Sequence, residues 1–524
     1  MDILGIHITN QCIATSQGDV ITEPPFLDHL INLYPDCQKV FYDMDADVAS
    51  LLHLLQLTKE QCKTLLTNRR LRILDYNIVY FPKYYFLIEV GRYRNHPSVS
   101  FVNANQDGYL KPYYTEDNSV EDAIRKAKEA RDTAIEVSKA FEYFGLGTDN
   151  ISSPIKAFLK KYELNWPTVD DCPDEASELA WRAIKGHWFE VYNMGHFNRA
   201  YFYDINSSYA FELFRLPDIR KGKFIESKDI PNNALLGIAE GILETEAEFH
   251  PFLSRISKNN YTPIGKMPAI LGLRAVRLLQ QYKLGTFEIN NGYWWYPTES
   301  LQCCYKPRME WLWNKKQQTD STTKKAIATR IYSATWGIQA QYIPDKGAFS
   351  DRFCPFINYI VEENSRLHVT DTCLQNRIIP LAVVGDGFIT DKELQLQTGT
   401  GLGQWKLLKQ GKCLIAGTSN IAFESDEPAK GLALHYNILL QQMKDNPRAN
   451  KYTRTKYSPY TLALALQHDF DKLGTIQKVE RSLFVGYNYE RMFLDRPKTG
   501  KDLLNGKEYQ SLPWDYKMLT TVKQ

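Results

Sequence analysis

Residues 200–214 read AYFYDINSSYAFELF. Four apolar and aromatic residues, Ala200 to Tyr203, form a run of strand type that ends on Asp204. Asn206, Ser207 and Ser208 then supply turn chemistry before an amphipathic run that reads as a helix. The Asp204 carboxylate therefore stands at the exit of a strand. A second stretch of the same kind, IIPLAVVGDGFIT over residues 378–390, places Asp386 in a tight GDG turn with FIT as the returning strand. Each feature alone is commonplace, because an Asp after a strand and a GDG hairpin are ordinary turn signals. Together they carry more. If the two strands are neighbours, carboxylates about 5 Å apart on one face can hold two divalent cations separated by roughly 3.5–4 Å, the arrangement phosphoryl transfer needs. Such a pair would repel without cations, and its hard oxygen donors favour Mg2+, with Mn2+ as a substitute.

Between the two aspartates, STTKKAIATRIYSATWG over residues 321–337 begins with cap-type residues and continues at helical period. Lys325, Thr329, Ser333 and Trp336 recur at near i, i+4 spacing on one face, with Arg330 alongside. Cations on such a stripe suit a triphosphate, although isolated lysines and arginines on a helix are more often solvated surface charges.

Working outward, the 524 residues exceed what one hydrophobic core serves, so two or more domains are expected. The first segment alternates apolar stretches (Ile3 to Ile8, Lys39 to Tyr42, Asn77 to Val90) with a charged helical pattern from Ser119 to Phe144, the signature of an α/β domain. The Pro/Asp-rich stretch NWPTVDDCPDEASE breaks the periodicity and puts a boundary near residues 160–178. Apolar content of 44% and charged content of 24% are those of a globular protein, and no run approaches the roughly 18 to 20 apolar residues of a membrane span. The start MDILGIHITNQ lacks a basic segment followed by an apolar one, which makes a cytoplasmic location the expectation. Nine scattered cysteines with no zinc-type spacing read as reduced thiols. The net charge of +2 conceals an asymmetry: residues 444–524 carry 15 Lys plus Arg against 9 Asp plus Glu, hence +6, leaving −4 for the rest. With Tyr452, Tyr457, Tyr460, Tyr487 and Tyr489 interleaved, that basic end suits a surface that follows phosphates.

These segments resemble the motifs of family B DNA polymerases, especially the small protein-primed phage branch. YDINSSYAFELF resembles motif A (DxxSLYP), with Ser208 and Ala210 where Leu and Pro are usual. RIYSATWG resembles motif B (KxxxNSxYG), the expected lysine falling on Thr329. VVGDGFIT is similar to motif C (YxDTDS), with Asp386 as the second aspartate and Val384 in place of the first. AIKGHWFEVYNMG looks like the YxGG-type stretch before motif A, and LGQWKLL followed by AKGLA like the approach to the thumb. The resemblance covers about two-thirds of the chain. It implies a mixed α/β multidomain protein of right-hand type: a degenerate, RNase H-like exonuclease domain over residues 1–175, palm over 176–300 and 341–430, fingers over 301–340 and a basic thumb over 431–524. It further implies addition of deoxynucleotides to a primer on a DNA template. Asp204, Asp386 and the Ile205 carbonyl would serve as metal ligands, Tyr209 as the gate against a 2′-hydroxyl, and Ser207, Lys325, Thr329 and Arg330 as further nucleotide-site residues. A priming protein or replication accessory proteins are possible partners, no membrane is involved, and a virus or mobile element is the favoured source.

The departures are informative. Exonuclease domains of this family open with DIET, whereas LGIHITN puts His7 and Thr9 at the two metal-binding carboxylates, leaving Asp47 and Asp132 as remnants. Proofreading is therefore expected to be lost. Only 48 residues separate Gly337 from Asp386, which leaves little room for the strand-displacement insertion of the protein-primed branch. Two other readings fit the altered motifs: a polymerase with unusual priming or template choice, and an inactive relative kept as a DNA-binding module.

Overall fold

The computed structural model describes residues 2–522 except 84, 91–97, 105–111, 116–118, 147–153, 163–164, 344–346, 419 and 426–434. The AKGLA stretch lies outside the described residues. The chain divides into two compact units, one comprising residues 1–164, 314–331 and 455–481, the other 165–313, 332–454 and 482–524.

The first unit is built on an eight-stranded mixed sheet. Its strands are β1 (Ile3–Ile8), β2 (Ile13–Thr15), β3 (Val20–Ile21), β4 (Gln38–Phe41), β5 (Arg70–Ile73), β6 (Tyr76–Phe81), β7 (Tyr85–Val90) and β8 (Ser98–Asn103), in the order β3-β2-β1-β4-β8-β7-β6-β5. Strands β1, β4 and β8 run parallel, and the remaining pairs are antiparallel. The single apolar stretch from Asn77 to Val90 is thus two strands of a hairpin, turned at Lys83 with φ 67°. Helix α1 (Met44–Leu54) contributes Met44, Val48, Leu51 and Leu52 to the core. Helix α2 (Val120–Tyr143) is capped by Ser119, whose hydroxyl accepts from the Asp122 amide at 3.2 Å. Its buried stripe is Ala123, Ala127, Ala130 and Ala134, and these methyl-sized residues let the helix backbone come down onto β1. Gly5 is required at that crossing: a Cβ there would lie 1.8 Å from the Ala127 carbonyl oxygen.

The second unit is organised by a sheet whose central strand contains the opening stretch of the sequence. The main path of this eight-stranded sheet comprises β9 (Phe189–Val191), β10 (Asn193–Ile205), β11 (Ala382–Val384), β12 (Gly387–Thr390), β13 (Trp405–Gly417) and β14 (Asn420–Phe423), in the order β14-β13-β10-β12-β11-β9, and Tyr509–Leu512 joins the start of β10 and pairs with Met492–Phe493. Neighbours are antiparallel. Both faces of β10 are covered. Ala200 and Phe202 join a cluster with Ile389, Leu414 and Phe423, while Tyr201, Tyr203 and Ile205 join Trp188, Phe388 and Trp405 on the other side. This accounts for the unbroken apolar run before Asp204, which a one-sided strand would have interrupted with polar residues. A separate four-stranded antiparallel sheet is formed by Gly222–Glu226, Thr286–Pro297, Leu236–Thr245 and Gly265–Gly272. Among the described residues, no helix is long and apolar enough to cross a membrane.

Candidate active site

Strand β10 ends at Ile205. The chain turns through Ser207, a non-glycine residue with φ 52° and ψ 53°, into helix α3 (Ser208–Arg215). A loop from β13's approach fixes this exit: the Asn206 side-chain amide donates to the carbonyls of Gly399 (2.8 Å) and Gly401 (3.2 Å), and the Gly403 amide donates to the Asn206 carbonyl at 2.9 Å. Gly403 has φ 77°, and a Cβ there would sit 2.2 Å from the Phe211 ring, so both the conformation and the close approach need glycine.

The second aspartate arrives by register. Strand β10 pairs with β12 so that Asp204 faces Gly387, and Asp386 is the adjoining residue in the two-residue turn between β11 and β12. Gly385 takes φ 68° as the first turn residue, which a two-residue hairpin favours. The Ile205 amide donates to the Asp386 carbonyl at 3.4 Å, tying the two chain segments together. The two acids thus sit side by side at one end of the sheet. Asp204 is buried, with unlike oxygens: Oδ1 is enclosed with no hydrogen-bond partner, whereas Oδ2 lies 2.7 Å from the Lys406 ammonium. Lys406 is the residue paired with Asp204 across the β10–β13 ladder. Among the described residues, no third His, Cys, Asp or Glu joins the two acids in a cluster of metal-ligating type. An enclosed carboxylate oxygen without a donor, on a strand whose neighbour brings a second acid next to its register partner, is nonetheless a donor that fits a hard divalent cation.

Tyr209, on the first turn of α3, is half-buried and fixed from two directions. Its ring stacks on Trp336 with centroids 4.5 Å apart and planes 15° apart, and its hydroxyl shares a 2.9 Å hydrogen bond with His187 Nδ1. Burial, and after it the negative charge of Asp386, push the phenol well above its ordinary range. The phenol is therefore neutral. Behind it, helix α5 (Pro355–Gln375), the interval between motifs B and C, carries a buried pair in which Arg366 donates to Glu362 at 2.5 Å. Glu362 also accepts from the Lys185 amide at 3.0 Å, and Arg366 donates to the Gly186 carbonyl at 3.4 Å. This pins the segment that presents His187 to Tyr209. Full burial of both charges makes the pair costly to break from one side.

Helix α4 (Thr322–Gly337) carries the other expected nucleotide-site residues. Its Ile327, Ala328, Ile331, Tyr332 and Thr335 are buried, leaving Lys325, Thr329, Ser333 and Trp336 on the opposite, more open stripe. The Thr329 hydroxyl is engaged by its own helix, donating to the Lys325 carbonyl at 2.8 Å, and Lys325 Nζ lies 4.0 Å from exposed Asp320. Arg330 is exposed. Lys325, Thr329 and Arg330 belong to the first unit, while Trp336 belongs with the two acids in the second.

In the first unit, the positions expected to bear exonuclease acids are filled otherwise. His7 is buried with its Nδ1 2.7 Å from Asp47 Oδ1, which also accepts from the Ile8 amide at 2.7 Å. The Thr9 hydroxyl accepts from the Cys12 amide at 3.1 Å and closes a turn. Asp132 is 63% exposed and paired with Arg131 at 2.9 Å.

No protein-family model matches this sequence, and no curated protein matches it either. Solved structures do. The phi29 DNA polymerase complexed with primer-template DNA and incoming nucleotides aligns with 92% of this chain and 98% of its own, at TM-score 0.62 and 12% identity. The same polymerase complexed with single-stranded DNA aligns with 92% of this chain and 98% of its own, at TM-score 0.61 and 11% identity. The fold is that of a DNA polymerase. The correspondence runs through both units, so the mixed α/β, multidomain polymerase architecture expected from the sequence is the one found.

The sequence did not single out Lys406, His187, Glu362 or Arg366. Lys406 lay inside LGQWKLL, read only as an approach to the thumb, and nothing local marks it as the partner of Asp204. The alternation of β13, with Trp405 on one face and Lys406 on the other, is its one retrospective signal.

Proposed function

We propose that this chain is a template-directed DNA polymerase of the family B kind, related to the protein-primed branch, that extends a primer by metal-dependent phosphoryl transfer. The observation that carries this reading is the side-by-side placement of Asp204 and Asp386 at one end of the central sheet, with Tyr209 stacked on Trp336 beside them. The solved phi29 polymerase holds primer-template DNA and incoming nucleotides, and those are the partners proposed here.

Asp204 and Asp386, with the Ile205 carbonyl as a third oxygen, would hold the divalent cations. The enclosed Oδ1 of Asp204 is the donor with nothing else to bind. Mg2+ or Mn2+ bound there would neutralise the phosphates, favour ionisation of a primer 3′-hydroxyl and stabilise departing pyrophosphate. The chain's own residues do the positioning. Tyr209, held by Trp336 and His187, presents a rigid ring under the sugar and leaves no room for a 2′-hydroxyl. Ser207 sets the left-handed corner that aims the start of α3, and Lys325, Thr329 and Arg330 line the helix proposed to meet the triphosphate. In the first unit, His7 and Thr9 stand where a nuclease would need two acids, with His7 engaged by Asp47 and Thr9 by the Cys12 amide, so we read that domain as lacking 3′ to 5′ hydrolysis.

Templated primer extension in Mg2+ tests the reading. Asp204→Asn and Asp386→Asn are each expected to lower the rate by more than about 1000-fold, since each removes a charge that compensates the cations. Unchanged incorporation by either variant would sink it. Wild-type protein that binds DNA but incorporates nothing would instead favour an inactive binding module.

A further inference from the structure

We propose that Lys406 is a positioning residue that holds the Asp204 carboxylate in the metal-free centre and competes with a divalent cation for it. This rests on the metal reading of Asp204 given above. The geometry is direct: Lys406 Nζ is 2.7 Å from Asp204 Oδ2, the two residues are register partners across β10 and β13, and Oδ1 of the same carboxylate is enclosed with no partner.

The placement of Lys406 is not accidental to a flexible side chain. Trp405 is buried against Phe388, with ring centroids 5.3 Å apart, and Trp405 pairs with Ile205. Alternation along β13 then sends Lys406 to the face bearing Asp204. The Asn206 clamps and Gly403 fix the start of β13, so a slip by one residue, which would turn Lys406 away, is blocked.

The consequence is electrostatic. Asp204 and Asp386 bring two negative charges and Lys406 one positive charge, a net of −1 from these three residues. Without a cation the ammonium relieves repulsion between the two acids and fixes the orientation of Asp204. A cation that takes Asp204 must work against that ammonium or displace it. The Lys406 side chain is 37% exposed, so it has solvent to move into, whereas Asp204 at 10% does not. A unit charge about 5 Å from a divalent ion in a water-like dielectric weakens its binding roughly tenfold.

The test is direct Mn2+ binding to the full chain without DNA or nucleotide, followed by the loss of the free Mn2+ signal in electron paramagnetic resonance. Lys406→Met is expected to bind Mn2+ about tenfold more tightly than wild type, and Lys406→Arg, which keeps the charge, to stay within about twofold, with the gap narrowing at high salt. A purely structural role would make the Met and Arg variants behave alike, and that result overturns the proposal. Lys406→Gln provides a second neutral variant if the Met variant does not fold. Asp204→Asn separates the two readings. If Mn2+ binding depends on Asp204 yet neutral variants at Lys406 do not tighten it, the competition alone is refuted. If binding is indifferent to Asp204, the metal reading fails and the proposal falls with it.

Discussion

Replacing His7 by Ala probes what has become of the nuclease-like domain. His7 and Asp47 are 4% and 0% exposed, and the imidazole Nδ1 lies 2.7 Å from Asp47 Oδ1. Removal of the ring deletes one hydrogen bond to a buried carboxylate, worth about 1.5–3 kcal/mol. It also removes the edge contact with Tyr42, whose ring centroid is 5.2 Å away at 69°, worth about 0.5–1.5 kcal/mol. Asp47 is not stranded, because the amides of Ile8 and Asp43 still donate to it at 2.7 and 2.8 Å. The loss should therefore fall at about 3 kcal/mol, below the upper range for a fully orphaned buried charge. Urea unfolding of His7→Ala against wild type reads it, with hydrogen exchange on β1 and α1 amides to localise it to the first unit. A loss under about 1 kcal/mol would refute the view that His7 is a structural partner of Asp47. Robust Mg2+-dependent degradation of a primer by wild type, abolished by Asp132→Ala, would overturn the proposed loss of proofreading.

Other outcomes follow from the same geometry. Tyr209→Ala should lower the preference for deoxynucleotides over ribonucleotides, measured as a ratio of kcat/KM, by about 100-fold, while Tyr209→Phe, which keeps the ring on Trp336, should retain it. Lys325→Ala should reduce nucleotide incorporation about 30- to 1000-fold in single-turnover extension, corresponding to about 2–4 kcal/mol, and normal incorporation would remove Lys325 from the phosphate site. Asp43 is pushed from 3.8 to about 6, first by burial and then by the charge of Asp47. A raised carboxyl pKa stabilises the folded state fully below about pH 4 and loses that contribution as pH rises through about 6. Asp43→Asn should accordingly gain thermal stability relative to wild type between those pH values, by at most about 3 kcal/mol, and a constant difference across that range would count against the assignment.

By itself the sequence determined the α/β character of the first segment, the strand and turn that end on Asp204, the GDG hairpin around Asp386 and the helix bearing Lys325. These are local matters: period-2 and period-3.6 patterning, turn residues and caps act within one segment, so one segment reveals them. The structure agrees closely on them, with α2 at Val120–Tyr143 and α4 at Thr322–Gly337 against patterned stretches of 119–144 and 321–337. Tertiary structure alone decided what those segments meet. Asp204 and Asp386 are 182 residues apart, and only the β10–β12 register makes them neighbours. The β10–β13 register likewise brings Lys406 onto Asp204, whereas Glu362 and Arg366 meet at i, i+4 within α5 and are buried by the packing of that helix. An apolar run on a doubly covered strand such as β10 does not say which strand lies beside it, because hydrophobic burial is indifferent to partner. Pairing is settled by the packing of the whole sheet and by close approaches such as Gly403 on Phe211, which exist only once the chain has folded.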